Sequence, residues 1–132
     1  MENLRPAVEH LSAIPVLKGN DSPLRINLAR VITKGKHGSE LTLGVAWLEP
    51  GQVSRWWSFE RDDQKRPDES FQGWHHETYF VVRGRLKLSW NEGELNLAPN
   101  DAVYLAPGWH YQLENVGDDQ AFFVYNVYPT TK

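Results

Sequence analysis

The chain has 132 residues and not one cysteine. That excludes disulfides, a thiolate nucleophile and a Cys-ligated zinc. It also lacks an excess of either charge. Fourteen Lys and Arg against 17 Asp and Glu leave a formal net charge of −3, with both signs mixed along the chain. Such a surface has no electrostatic footprint for nucleic acid or an anionic membrane, and neither is expected as a partner. No apolar run is long enough to span a bilayer. The opening Met1-Glu-Asn-Leu-Arg-Pro6 does not have the basic-then-apolar order of a signal peptide, so a cytoplasmic protein is expected. Amphipathic helix patterning is missing, and no segment repeats. Tryptophan, by contrast, is plentiful: there are six, most of them near the residues proposed below as a pocket.

The length suits one domain with one core. Residues 1–23 read as an N-terminal arm. Pro6, Pro15, Gly19 and Pro23 interrupt it, leaving at most a short helical turn within Ala7–Ile14. Residues 24–132 read as short strands separated by turns. Strands are expected at Leu24–Thr33, Leu41–Leu48, Gln52–Phe59, Trp74–Val82, Arg85–Trp90, Glu94–Leu97, Ala102–Leu105, Tyr111–Asn115 and Ala121–Tyr128. Turns are expected at Lys34–Gly38, with His37 a polar turn residue, at Glu49-Pro50-Gly51, at Asn91-Glu92-Gly93, where glycine offers positive φ, and at Asp118-Asp119. Glu60–Ser70 is polar and charged, contains Pro67, and is longer than most hairpin connections. It reads as an exposed loop of the kind that is either a lid or disordered, and an enzyme would use it to close over the mouth. Short strands at near-regular spacing without an amphipathic helix indicate an all-β sandwich or barrel.

Two stretches narrow this further. Glu77-Thr-Tyr-Phe-Val-Val-Arg-Gly84 and Asn100-Asp-Ala-Val-Tyr-Leu-Ala-Pro-Gly-Trp-His110-Tyr-Gln-Leu-Glu-Asn115 resemble the two motifs of the cupin superfamily. Glu77 and Gly84 have the spacing of the first motif, and Gly108 and Asn115 that of the second. The resemblance covers roughly residues 41–129. It implies a single-domain antiparallel β-barrel of jelly-roll type. At superfamily level the chain is also similar to ectoine synthase, to the ethanolamine-utilisation cupin, and to cupin-type phosphoglucose isomerases.

In cupins two histidines and the glutamate of the first motif, with a histidine of the second, hold a metal. This sequence departs from that set. Counting from Pro50-Gly51 puts Trp57 and Phe59 at the two histidine positions, while counting back from Glu77 gives Phe71 and Gly73. Tyr111 stands where the late histidine belongs, with His110 one residue early. Asn100 and Ala106 replace the usual Gly and Pro. Of the four ligands only Glu77 carries over.

Two arrangements are open. One is a metal-free pocket in which Glu77 is surrounded by Trp57, Phe59 and Tyr111, with Arg55, Tyr104 and Trp109 as further ligand contacts. Aromatic rings around a carboxylate suit a sugar ring or a cationic group. The other is a relocated metal site. Alternate strand residues share a face, so His75, Glu77 and Tyr79 point one way and His76 the other. A one-residue bulge would bring in His110. His75, Glu77 and His110 would then suit one divalent Fe, Mn, Ni or Zn. The plain alternative is that both histidines are ordinary polar strand residues.

The expected function is that of a small-molecule enzyme of isomerase, lyase or cyclase type. Glu77 acts as base, and Tyr79, Tyr111 or His110 handles the second proton. The competing expectation is a cupin that binds a sugar or cation without turnover. A homodimer is expected in either case, because an exposed barrel edge needs cover.

Overall fold

The computed structural model describes residues 4–58 and 75–129. Nine strands follow in chain order: β1 Asn27–Ile32, β2 Thr42–Leu48, β3 Trp57–Ser58, β4 His75–Arg83, β5 Leu86–Trp90, β6 Gly93–Leu97, β7 Ala102–Leu105, β8 His110–Asn115 and β9 Ala121–Pro129. They form two sheets, ordered β1-β2-β9-β4-β7 and β3-β8-β5-β6, with every pairing antiparallel. The expected all-β architecture is the one observed. The helical element α1, Lys34–His37, is a single turn between Thr33 as its cap and Gly38 at φ 70. Among the described residues no helix is long and apolar enough to cross a membrane.

Strict alternation builds the interior. In β2, residues 42, 44, 46 and 48 are buried while 43, 45 and 47 are half-buried on the outer side. In β4 the buried set is His75, Glu77, Tyr79 and Val81. Leu48, Leu86, Leu105 and Leu113 are each 0% exposed in the core between the sheets. Each contributes about 1.5–3 kcal/mol by leaving water.

The stretch expected as a strand over Gln52–Phe59 is broken. Its backbone bonds are divided: Ser54 N–H goes to Leu113 O (2.8 Å), but Arg55 N–H goes to Leu24 O (3.0 Å). Only a bridge at Val53 and the two residues of β3 pair with β8. The arm is better ordered than its composition suggests. It contains short 3-10 turns at Leu11–Ala13 and Gly19–Asp21, and Leu17 pairs with Leu28 through two 2.9 Å bonds. His37 is more than a polar turn residue. Its Nδ1 accepts from Thr33 N–H (3.2 Å), and its Nε2 lies 2.8 Å from Glu9. These partners require the neutral tautomer with hydrogen on Nε2. Lys36 also reaches Glu9 at 2.5 Å, and bonds from Lys36 and His37 hold that carboxyl below its usual range. The arm is thus tied to the turn that precedes β2.

The motif positions have backbone reasons. Gly84 has φ +86, and a Cβ there would lie 2.6 Å from Ala121 Cα. Gly108 has φ 97 and Asn100 φ 74. Asparagine is the residue that best replaces glycine in the left-handed region, which explains why the motif survives that exchange. Gly93, in contrast, does not take a positive φ; the Asn91–Glu92 turn closes without it. Asn115, 2% exposed, uses its whole amide. Nδ2 donates to Leu48 O (2.8 Å) and Asp119 O (2.9 Å), and Oδ1 accepts from Gly117 N–H (2.9 Å). It locks the β8–β9 turn onto the end of β2.

Gly84→Ala combines a left-handed penalty with overpacking against β9. It should lower stability by about 2–4 kcal/mol, read as an earlier urea midpoint. An unchanged midpoint would mean that this turn tolerates a side chain.

Candidate functional site

The interior face of the larger sheet carries the polar residues. Glu77 is 5% exposed and sits opposite Leu105 of β7 and Val127 of β9. Tyr79, two residues on, faces Val103 and Tyr125, and its ring lies 4.5 Å from that of Phe123. The next strands continue this rung: Tyr125 pairs with Gly44, and Gly44 with Arg30 of β1. Arg30, Glu77, Tyr79 and Tyr125 line one cavity, whose apolar walls include Leu28, Ala46 and Phe123. The space they enclose is about 20 Å³, enough for one water-sized group.

The smaller sheet supplies a rung of aromatic rings. Trp57, Tyr111 and Trp90 are direct cross-strand neighbours on β3, β8 and β5. Trp57 and Tyr111 rings are 5.9 Å apart, and Trp109 meets Trp90 edge-on at 4.9 Å. Tyr111 donates its hydroxyl proton to Ala106 O at 2.7 Å. Burial, then the charges of Glu77 and Tyr104, push its pKa up to about 12. The phenol therefore stays neutral throughout the physiological range.

The expected site residues divide into three groups. His75, Glu77 and Tyr79 share the interior face, and Tyr111 joins them from the opposite sheet. Trp57 also points inward, but at 1% exposure it is packed into the core rather than standing at an open mouth. Its Nε1–H is buried with no hydrogen-bond acceptor among the described residues. Arg55 is half-buried, with its backbone bonded to Leu24. Trp109 is half-buried against Trp90 and the core.

Two residues lie elsewhere. Tyr104 is 57% exposed on the outer face, stacked on His76 with its hydroxyl 2.6 Å from the Nδ1 of that ring. Its place is dictated by pairing with the outward Thr78, while Leu105, opposite Glu77, takes the inward position. His110 is exposed. The bulge that would have turned it inward is absent: β8 pairs with β3 and β5 without a register shift. Phe59, Phe71, Gly73 and the Glu60–Ser70 loop lie outside the described residues.

A cupin metal needs several converging donors. With Trp57 and Tyr111 in two of the histidine positions and His110 facing out, the described residues contain no group of three or more His, Cys, Asp or Glu able to hold an ion. The expected His75, Glu77 and His110 set does not form.

Sequence reasoning passed over Arg30, Tyr125 and Gly44. The signal for Arg30 was present, since it follows inward Leu28 by two. Tyr125 likewise falls midway between inward Phe123 and Val127. Gly44 is a glycine inside a strand, which marks a close approach.

No family model matches the chain, and neither does any curated protein. Solved structures do. A predicted oxalate decarboxylase from Thermotoga maritima superposes with a TM-score of 0.72 at 15% identity, covering 94% of this chain and 100% of that one. KdgF from Halomonas sp. gives 0.69 at 13% identity, over 97% of each chain. A cupin-superfamily sugar phosphate isomerase from Silicibacter pomeroyi gives 0.66 at 23% identity, over 94% of this chain and 76% of that one. The fold is a cupin barrel. At these identities the likeness extends to the architecture, and the chemistry of the cupin pocket has to be argued from its own residues.

One consequence concerns alkaline pH. The folded-state pKa of Tyr111, about 12, lies above the ordinary tyrosine value of about 10. The folded state therefore holds this proton more tightly than the unfolded chain does. The resulting stability is complete below about pH 10 and is lost as pH rises toward 12. Ultraviolet titration should show a late tyrosine ionisation, and Tyr111→Phe should reduce the amplitude of that late step by one tyrosine. A wild-type titration with no step near 12 would contradict this placement of Tyr111.

Proposed function

We propose that this chain is a small-molecule enzyme that moves a proton on a small polar metabolite, in isomerase- or lyase-type chemistry, with Glu77 as the base. The observation that carries this reading is a carboxylate 5% exposed on the inner wall of a cavity, with a phenol, Tyr79, two residues away on the same face. Burying a carboxylate is costly, and a position that retains one is suited to proton transfer in a site shielded from water. Tyr79 is assigned the second proton because it shares the inner face of β4 with Glu77, two residues away; Tyr111 donates to Ala106 O. Tyr111 then serves as a neutral wall. The cupin described as a sugar phosphate isomerase and the one described as an oxalate decarboxylase support a small polar ligand, since the same architecture accommodates such chemistry. The commitment of the Tyr111 proton also favours a second reading, in which the pocket binds a sugar or cation without turnover.

Solvent deuterium incorporation into a panel of sugar phosphates and small oxo acids, followed by NMR, tests the enzyme reading. Glu77→Gln keeps the shape and removes the charge. Exchange should fall by about 10²–10⁴-fold with the fold intact, the scale of a lost general base. Undiminished exchange in this variant would make Glu77 structural. Ligand binding in the wild type without exchange would favour the second reading.

We also propose that the chain forms a homodimer through the outer face of its larger sheet. Phe80 and Val82 are 46% and 47% exposed there. They lie near Val45, Val124 and the stacked Trp47–Phe122 pair. These side chains form an apolar patch that can meet a copy of itself, with the Arg83 guanidinium over the Phe122 ring at its edge. Phe80→Glu places like charges across that contact. Light scattering should show a shift to monomer at concentrations where the wild type is dimeric. A monomeric wild type would reject the proposal.

A further inference from the structure

We propose that the indole N–H of Trp57 is a ligand-binding donor, and that the group it receives is an uncharged carbonyl oxygen. This rests on the reading of the barrel interior around Glu77 as a ligand site. An indole nitrogen donates one hydrogen bond and accepts none. Trp57 is buried, and its Nε1–H has no acceptor among the described residues. Buried polar groups in folded proteins are nearly always paired, because an orphaned donor costs the full loss of its hydration. A second group at the same level shares this state. The Thr42 hydroxyl is fully buried and has no hydrogen-bond partner among the described residues. Register puts the two around Glu77. Thr42 pairs with Val127, and Val127 with Glu77, so the hydroxyl and the carboxylate belong to one inward rung of the larger sheet. Trp57 pairs with Tyr111 on the smaller sheet, and the Tyr111 phenol feels the charge of Glu77.

The chemistry of the partner follows from the donor and its surroundings. It must carry a lone pair, since the indole has only a proton to offer. A second carboxylate or a phosphate in this layer would meet the like charge of Glu77 in low-dielectric surroundings, so the acceptor is uncharged. A carbonyl oxygen suits both the donor and the proposed proton transfer. Glu77 takes a proton from the carbon beside the carbonyl. The C–H electron pair forms a new C=C bond, and the carbonyl π pair moves onto oxygen. That oxygen gains its negative charge at Trp57, where a donor already in place stabilises it most. Return of the proton to carbon reverses the same shifts. Trp57 needs only one oxygen atom. Trp90 ends its rung and, with Trp109, is half-buried, so the layer borders solvent on that side.

The probes are dihydroxyacetone and glycerol, which share three carbons and two terminal hydroxyls and differ at the central carbonyl. Nitrogen–proton NMR displays the indole N–H signals of the six tryptophans, and Trp57→Phe identifies one of them by removing it. In the wild type dihydroxyacetone should shift the Trp57 signal saturably, and glycerol should leave it in place. Trp57→Phe should weaken dihydroxyacetone binding about three- to tenfold, the scale of one lost hydrogen bond. If Trp57→Phe does not fold, through-space contacts with the Tyr111 ring identify the signal and the wild-type titration decides. A Trp57 signal that dihydroxyacetone leaves fixed, or that glycerol moves equally, would overturn the assignment. So would a folded Trp57→Phe that binds dihydroxyacetone as the wild type does. A Trp57 response to the ketone together with undiminished proton exchange in Glu77→Gln would leave this donor standing and remove Glu77 as the base. Lost exchange in Glu77→Gln with an unmoved Trp57 signal would do the reverse.

Discussion

The register of β4 between β9 and β7 is the constraint on which the rest depends. Side chains alternate with a period of two, so a slip of one residue would carry Glu77, Tyr79 and His75 to the outer face and bring His76, Thr78 and Phe80 inside. The end of β4 resists such a slip. The β4–β9 ladder shifts register between Val81 and Arg83, a bulge that admits one extra residue. Gly84 then turns the chain at φ +86, against Ala121. On the other edge Val81 N–H bonds Asp101 O (2.9 Å) and Asn100 N–H bonds Val81 O (2.8 Å). A left-handed Asn100 makes that second contact possible. The motif residues at turns thus hold the register, and the register decides which residues can act together.

Burial then gives the interior its electrostatic character. The charge of Glu77 is felt across the barrel by Tyr111, on the facing sheet. Where a typical cupin converges nitrogen donors on this carboxylate, this chain places an indole and a phenol, and their rings pack against each other. What remains polar has moved along the sheet, to the rung that joins Arg30, Tyr125 and Tyr79. A motif glutamate is retained here in a different company, and its chemistry changes with that company even though its position does not.

The fold was legible because it is written in turns and alternation. Gly84, Gly108 and Asn115 lie where backbone geometry demands them, and the inward direction of His75, Glu77 and Tyr79 follows from period two. The site was legible only in part. Its hydrophobic wall and its acid could be read from the motif positions. His110 was misjudged because a bulge has no reliable signature in a single sequence. Tyr104 was misjudged because the pairing partner that sets its face, Thr78, is nearly thirty positions away in the chain. Arg30 is separated from Glu77 by 47 positions (77 − 30), and only the order β1-β2-β9-β4 brings them to one wall. Spacing within a motif carries no information about strands paired from opposite ends of the chain.

That order explains why the cavity forms where it does. Three of the four inward residues of β2 are small: Thr42, Gly44 and Ala46. Their partners on either side are large, with Leu28 and Phe123 flanking Ala46, and Arg30 and Tyr125 flanking Gly44. Large side chains from two strands lean over a shallow third one, and interiors pack well when large and small alternate in this way. The apolar pair Leu28 and Phe123 forms cavity wall on either side of Ala46. Arg30 and Tyr125 have polar ends that must meet hydrogen-bonding partners, so they cannot collapse onto each other as carbon does. The Tyr125 ring fills the place over Gly44, and the cavity lies beside it, walled by Leu28, Ala46 and Phe123. The position of the pocket along the barrel thus follows from the small residues of β2 and the larger neighbours that lean over them.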